Sequence, residues 1–181
     1  TTQETAALAK CGAVAGLCPI TEANLGDGPF NGPGWLAAGG TFGIGSDSNV
    51  RISLTEELRT LEYSQRLRDI ARNVMVEKDG SVGQFLYVGA ALGGAQALGR
   101  KSGQIAVGNL ADLTAIDLSH PTLCALRPDH ILDGLAFAAP DIVVTDLWSA
   151  GRHQAKDGRH IHREQIIAGW RKAVKGLIDA V

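Results

Sequence analysis

The spacing of apolar residues changes several times along the chain, and each change marks an element. Residues 2–10 (TQETAALAK) carry a helical pattern, with Thr2 placed as the N-cap and Gly12 as the stop. Residues 13–18 (AVAGLC) are a short apolar run that reads as a buried strand ended by Pro19. Glycine and proline crowd the stretch from Gly26 to Gly34, so residues 19–34 read as a loop. Trp35 to Ala38 makes a short helix closed by Gly39-Gly40. TFGIG (41–45) is a second buried strand that runs straight into Ser46-Asp47-Ser48.

Helical spacing then returns twice. Ser53 and Glu56 have the spacing of a capping box, and Leu54, Leu58 and Leu61 follow on one face. The charged residues of this helix, which extends to about Arg72, read as a solvated face with i,i+4 partners such as Glu62 and Arg66. Ser81 and Gln84 open another helix, to about Leu98, with Gly99 at its end. It is rich in Ala and Gly, which predicts burial with close backbone contact.

Beyond residue 104 the period becomes that of strands. ADLTAID (111–117), IVVTDLWS (142–149), GRHQAK (151–156) and RHIH (159–162) read as strands, with turns at Ala150-Gly151 and Asp157-Gly158. Arg163 to Val181 is amphipathic: Ile166, Ile167, Trp170, Val174, Leu177 and Ile178 share a face. Alternating helix and buried strand in the first hundred residues predicts parallel β/α units, followed by a small antiparallel layer and a terminal helix. Two such units do not close a barrel.

Composition narrows the function classes. The chain has 181 residues, 45% hydrophobic and 20% charged, enough to bury a core. Its net charge of −2, from 17 basic and 19 acidic residues without a basic block, argues against a nucleic-acid or anionic-membrane surface. No apolar run is long enough to span a bilayer. Cys11, Cys18 and Cys124 form no CxxC pair and read as buried or inert thiols. Together with the lack of a signal peptide, they lead to an expected cytoplasmic location. The first residue is Thr1, and an amphipathic segment is already under way there, so the chain is expected to be part of a longer one.

The sharpest chemical feature is FGIGSDS (42–48). Active sites of barrels and open sheets lie at the carboxyl ends of parallel strands, and Asp47 is placed there. Its carboxylate would bind a metal, accept a proton from an attacking water, or do both; a helix cap or Asx turn is the bland alternative. CPITEANLGDG (18–28) follows the other buried strand, and Asn24, Gly26 and Gly28 would let the backbone fold over a cavity. Arg51 follows closely on Asp47. Gly108-Asn109 and Asp112 read as a structural turn and strand start. His160 and His162 share a strand face, an arrangement known for metals, but a surface turn precedes them and they read as solvated. His120, His130 and His153 read as capping or surface residues.

Read together, CPITEANLGDG (18–28), GIGSDS (43–48), the stretch from Ala97 to Leu113 (ALGRKSGQIAVGNLADL) and VTDLWSAGRHQAKDG (144–158) resemble the C-terminal part of the amidohydrolase superfamily. EELRTLEYSQRLRD (56–69) and GAALGGAQALGR (89–100) are most similar to its formimidoylglutamate deiminase family. The resemblance implies an α/β fold, the C-terminal part of a (β/α)₈ metal-dependent hydrolase barrel. Residues 1–103 would be its last β/α units, 104–162 part of a small β-sandwich and 163–181 a C-terminal helix.

It also implies one zinc ion held by an H-x-H, a further His and the Asp after the eighth strand. Only the Asp, Asp47, lies in this chain; it would be metal ligand and proton-transfer group, with Ser46 lining the substrate pocket. The reaction implied is hydrolysis of a small molecule, N-formimino-L-glutamate, in histidine degradation. The chain alone would be an inactive C-terminal segment, with the N-terminal segment of the same enzyme as its partner. A homodimer is expected from the family. The rival readings are another superfamily deaminase or chlorohydrolase acting on a ring amine, and a non-catalytic α/β scaffold in which Asp47 is a cap.

Overall fold

A computed structural model describes residues 1–77 and 80–180. It divides into two compact units. The first comprises residues 1–109 and 118–141, the second residues 110–117 and 142–181.

In the first unit, helix α1 (Thr2–Lys10) precedes strand β1 (Val14–Leu17). Its cap is Thr1, not Thr2, because Thr1 and Glu4 close the capping box reciprocally. Of residues 19–34, expected to be a loop, only 26–31 are one; helices occupy both ends. Pro19 begins helix α2 (Pro19–Leu25), where its locked φ and missing N–H suit the first helical turn. Gly26, at φ 75°, ends it. Helix α3 (Gly32–Ala37) is capped by Asn31 and leads into β2 (Thr41–Ile44), which pairs with β1 in parallel, Val14 opposite Thr41 and Leu17 opposite Ile44.

Two sixteen-residue helices then build the core. Helix α4 (Leu54–Asp69) is capped by Ser53, which accepts the Glu56 N–H. Helix α5 (Val82–Ala97) is capped by Ser81, which accepts the Gln84 N–H. Leu17, Phe42, Leu58, Leu61, Met75 and Leu86 are buried together. The close packing expected of α5 is present: a Cβ on Gly93 would lie 1.9 Å from the Phe42 carbonyl oxygen, and one on Gly89 would lie 2.9 Å from the Phe42 ring. A seven-residue helix that apolar spacing had not marked, α6 (Ile131–Phe137), packs on α4 and α5. Gly83 permits that contact, since a Cβ there would lie 2.3 Å from the Leu132 carbonyl oxygen.

The polar face of α4 is a correction to the solvated face expected of it. Glu57, Glu62 and Gln65 are buried, and each satisfies backbone N–H groups of a different segment. Glu57 accepts from Ile20, Gln65 from Gly32, and Glu62 from Val74 and Met75 at 3.0 and 2.8 Å. Arg66 completes the Glu62 site at 2.7 Å. These side chains replace water for amides that have no secondary-structure partner, which is why the sequence keeps polar groups inside.

The second unit is a four-stranded antiparallel sheet in the order β3 (Leu113–Ile116), β4 (Val144–Ser149), β5 (Arg152–Lys156), β6 (Arg159–His160). Both tight turns carry two positive-φ residues, Ala150-Gly151 and Asp157-Gly158, as hairpin twist demands. The strand expected from residue 142 starts at Val144, after a 3₁₀ turn over Asp141–Val143, and the last strand stops at His160. Asp112 is structural, accepting the Ala150 N–H at 2.7 Å. Helix α7 (Arg163–Ile178) follows, and the expected end at Val181 lies outside the described residues.

Candidate active site at the carboxyl ends of the parallel strands

Strands β1 and β2 remain paired to their last residues, where the Gly45 N–H donates to the Leu17 carbonyl at 2.9 Å. The two chains then turn apart, into α2 from Cys18 and into Ser46-Asp47-Ser48. Asp47 stands at this shared carboxyl end, exposed, with its backbone in the left-handed region at φ 51°. Among the described residues its carboxylate accepts no hydrogen bond, so it is not consumed as a helix cap or an Asx turn.

The corner around Asp47 is held from the β1 side. The buried Thr21 hydroxyl donates to the Ser46 carbonyl at 3.0 Å, and the Ser48 hydroxyl lies 2.8 Å from Thr21 Oγ1. A hydroxyl has one proton, so with Thr21 donating to Ser46 it is the Ser48 hydroxyl that donates to Thr21. The Ser48 N–H adds a longer approach at 3.4 Å. Helix α2, which carries Thr21, is fixed at its own start. Glu22 accepts the Cys18 N–H at 2.7 Å and Glu57 accepts the Ile20 N–H at 2.8 Å.

Arg51 does not pair with Asp47 despite its nearness in sequence. It binds Glu56 and, at 3.0 Å, Asp141, which also accepts from Ser53 and Thr55. Arg51 therefore fixes the segment leaving the corner and leaves the Asp47 charge uncompensated by a guanidinium.

Two buried or half-buried groups sit under this surface. Burial, with the carboxylates of Asp47, Glu22 and Glu57 adding to it, pushes the Cys18 thiol up, so Cys18 stays a neutral thiol. Burial also raises the Glu57 carboxyl, opposed by the Ile20 N–H and reinforced by Glu22 and Glu56. Its Oε1 is buried without a partner among the described residues. Of the two readings of the cysteines, buried or inert, burial does not hold for Cys11 and Cys124, which are exposed. His160 and His162 are exposed, as expected of solvated residues, whereas His153 is half-buried, 2.8 Å from Asp146 and stacked on Trp148.

Among the described residues no three His, Cys, Asp or Glu side chains converge as a metal-binding group. A zinc site takes three or four ligands, and the described residues do not bring that many together. Asp47 fits as a single ligand: an exposed carboxylate with both oxygens uncommitted. A mainly apolar cavity of about 490 Å³ lies between α2 and α4, lined by residues including Pro19, Ala23, Phe30, Leu61 and Arg68; Asp47 is not on it.

Comparison with known proteins gives this geometry its class. Residues 2–153 match the model of the amidohydrolase family, and the chain belongs to that family. It is similar to formimidoylglutamate deiminase of Pseudomonas aeruginosa, 48% identical over 97% of this chain and 39% of that protein. A 5-methylthioadenosine/S-adenosylhomocysteine deaminase of Haloquadratum walsbyi is 35% identical over 76% of this chain and 30% of its own length. Among solved structures, an amidohydrolase from Brucella melitensis superposes with a TM-score of 0.91 at 47% identity, covering 98% of this chain and 39% of that one. A zinc-bound adenosine deaminase from Xanthomonas campestris gives 0.87 at 26% identity, over 100% and 41% of the two chains. The fold is thus part of a (β/α)₈ hydrolase barrel region, and the chain spans about two fifths of the length of the relatives it matches most fully.

Thr21 and Glu57 are the functional-corner residues that sequence reasoning missed. Thr21 lies inside CPITEANLGDG, a stretch that carries the resemblance, but nothing in its own residue type sets it apart there. Glu57 lies inside EELRTLEYSQRLRD, but its inward role is hidden because its partner amide is 37 residues away.

Proposed function

We propose that this chain contributes Asp47 to a zinc-dependent formimidoylglutamate deiminase, which hydrolyses N-formimino-L-glutamate to N-formyl-L-glutamate and ammonia. The observation that carries the reading is the uncommitted Asp47 carboxylate at the joint carboxyl end of β1 and β2, in a chain 48% identical to a protein of that name. Asp47 would be one ligand of the metal; the others would come from the part of the enzyme that this chain does not span. Bound zinc supplies the Lewis acidity that makes water a nucleophile near neutral pH.

The chain's own contribution is a proton path. Water adds to the C=N carbon, and Asp47 takes the proton it sheds and delivers it to the departing nitrogen. The hydroxyl now on the carbon then gives up its own proton, which Asp47 passes to the same nitrogen; the C–N bond breaks, ammonia leaves, and the carbon keeps the oxygen as a formyl group. Ser46, half-buried at the same corner, would face the substrate. Assembly as a homodimer in the cytoplasm accords with this reading; no helix among the described residues is long and apolar enough to cross a membrane.

The test is ammonia release from N-formimino-L-glutamate by this chain joined behind the N-terminal three fifths of the Pseudomonas aeruginosa relative, loaded with zinc. Turnover should be present and should fall ~10²–10⁴-fold in Asp47→Asn, the range of general acid–base catalysis, with lower zinc retention. A folded, zinc-loaded protein that ignores this substrate and releases ammonia from an adenine-type ring would move the assignment to a ring-amine deaminase.

A further inference from the structure

A left-handed bend between two serines is not a rigid mount for a reacting group. Asp47 is exposed, so packing does not fix it, and its carboxylate makes no bond among the described residues that would. What holds the bend is a single hydroxyl from the neighbouring strand's corner. Thr21 binds the carbonyl before Asp47 and the hydroxyl after it, at 3.0 and 2.8 Å, without touching Asp47 itself.

Thr21 is suited to that task. It is 7% exposed, and its β-branched side chain is stiff at χ1. It lies in the first turn of α2, whose start is set by Pro19, by Glu22 on the Cys18 N–H, and by buried Glu57 on the Ile20 N–H. The hydroxyl is therefore mounted on a helix end anchored to α4, and α4 belongs to the core that also holds β2. A chain of four fixed contacts runs from the core to the residues on either side of Asp47.

We propose that Thr21 is the positioning residue of Asp47: its hydroxyl clamps both neighbours of the acid and thereby sets where the carboxylate stands. The inference rests on the reading of Asp47 as the reacting group. Orientation of this kind is worth large factors in rate, and a displacement of about 1 Å can cost ~10²-fold.

The experiment uses the joined enzyme described above and two variants. Thr21→Val keeps the shape and burial but removes the hydroxyl; Thr21→Ser keeps the hydroxyl. Thr21→Val should lower kcat at least ~10-fold per bound zinc, since the acid moves from its place. Thr21→Ser should restore most of that loss. In the chelated, metal-free protein, amide exchange at Ser48 should quicken ~10-fold or more in Thr21→Val while the amides of α5 keep their protection.

Unchanged exchange at residues 46–48 in Thr21→Val overturns the proposal, as does a rise in exchange spread equally through α5, which would mark loss of general stability. Failure of Thr21→Ser to recover turnover also overturns it. If the parent protein releases no ammonia while the exchange contrast is present, the clamp stands and the deiminase reading falls.

Discussion

The two compact units treat their apolar residues in opposite ways. In the first, Leu58, Leu61, Leu86 and Phe42 are almost wholly withdrawn from water, around helices that also bury polar side chains bonded to backbone amides, Glu57, Glu62 and Gln65 among them. In the second, Val143 is the one buried residue among those described, and α7 buries none. Ile166, Trp170, Leu177 and Ile178, which share the apolar face of α7, are each more than half exposed. The first unit thus draws its cohesion from side-chain packing. The second draws it from backbone pairing along β3, β4 and β5 and from two tight turns. A comparable apolar residue carries a different energetic weight in each.

The contrast is broken or sharpened by truncation. Leu58→Ala should have the largest effect, destabilising the chain by ~2–5 kcal/mol in urea denaturation, because the cavity is enclosed by Leu61, Met75 and other core residues. A loss below ~1 kcal/mol would mean that the first unit does not depend on its core as described.

A smaller effect, visible through pH, is expected at Glu57. Its folded value is raised above the ordinary 4.5, so folding favours the neutral carboxyl. The stability it contributes is whole below 4.5 and is lost as pH rises through the raised folded value. Glu57→Gln should therefore flatten the decline in stability on that rising limb. Parallel stability–pH curves for the two proteins would contradict a buried, raised Glu57. The smallest effect belongs to the second unit: Trp170→Ala should change stability by no more than ~0.5 kcal/mol, against the ~3–5 kcal/mol of a buried tryptophan. A cost in the buried range would show that α7 is covered.

Much of the fold was legible where local rules decide. Ser53 and Ser81 announce α4 and α5, Gly99 ends the second of them, and Ala150-Gly151 and Asp157-Gly158 make the hairpins. Short apolar runs locate β1 and β2 to within a residue or two. Pro19 misled because proline ends a strand and begins a helix with equal ease, and here it does both. Helix α6 is too short to display a period. The inward turn of Glu57, Glu62 and Gln65 was not legible, because polar residues on a helix read as solvated unless the distant amides they satisfy are known. At the site, the position of Asp47 followed from strand order, whereas its support from Thr21 required coordinates.

The bend at residue 47 has a consequence for which amino acids the position admits. A φ of 51° is cheap for glycine and tolerable for asparagine and aspartate, whereas other side chains pay roughly 1–2 kcal/mol to enter that conformation. Of the three inexpensive occupants, aspartate alone ionises. Glutamate would bring the same charge on a longer arm at a conformational penalty, so the local geometry has already chosen between the two acidic amino acids before any ligand arrives.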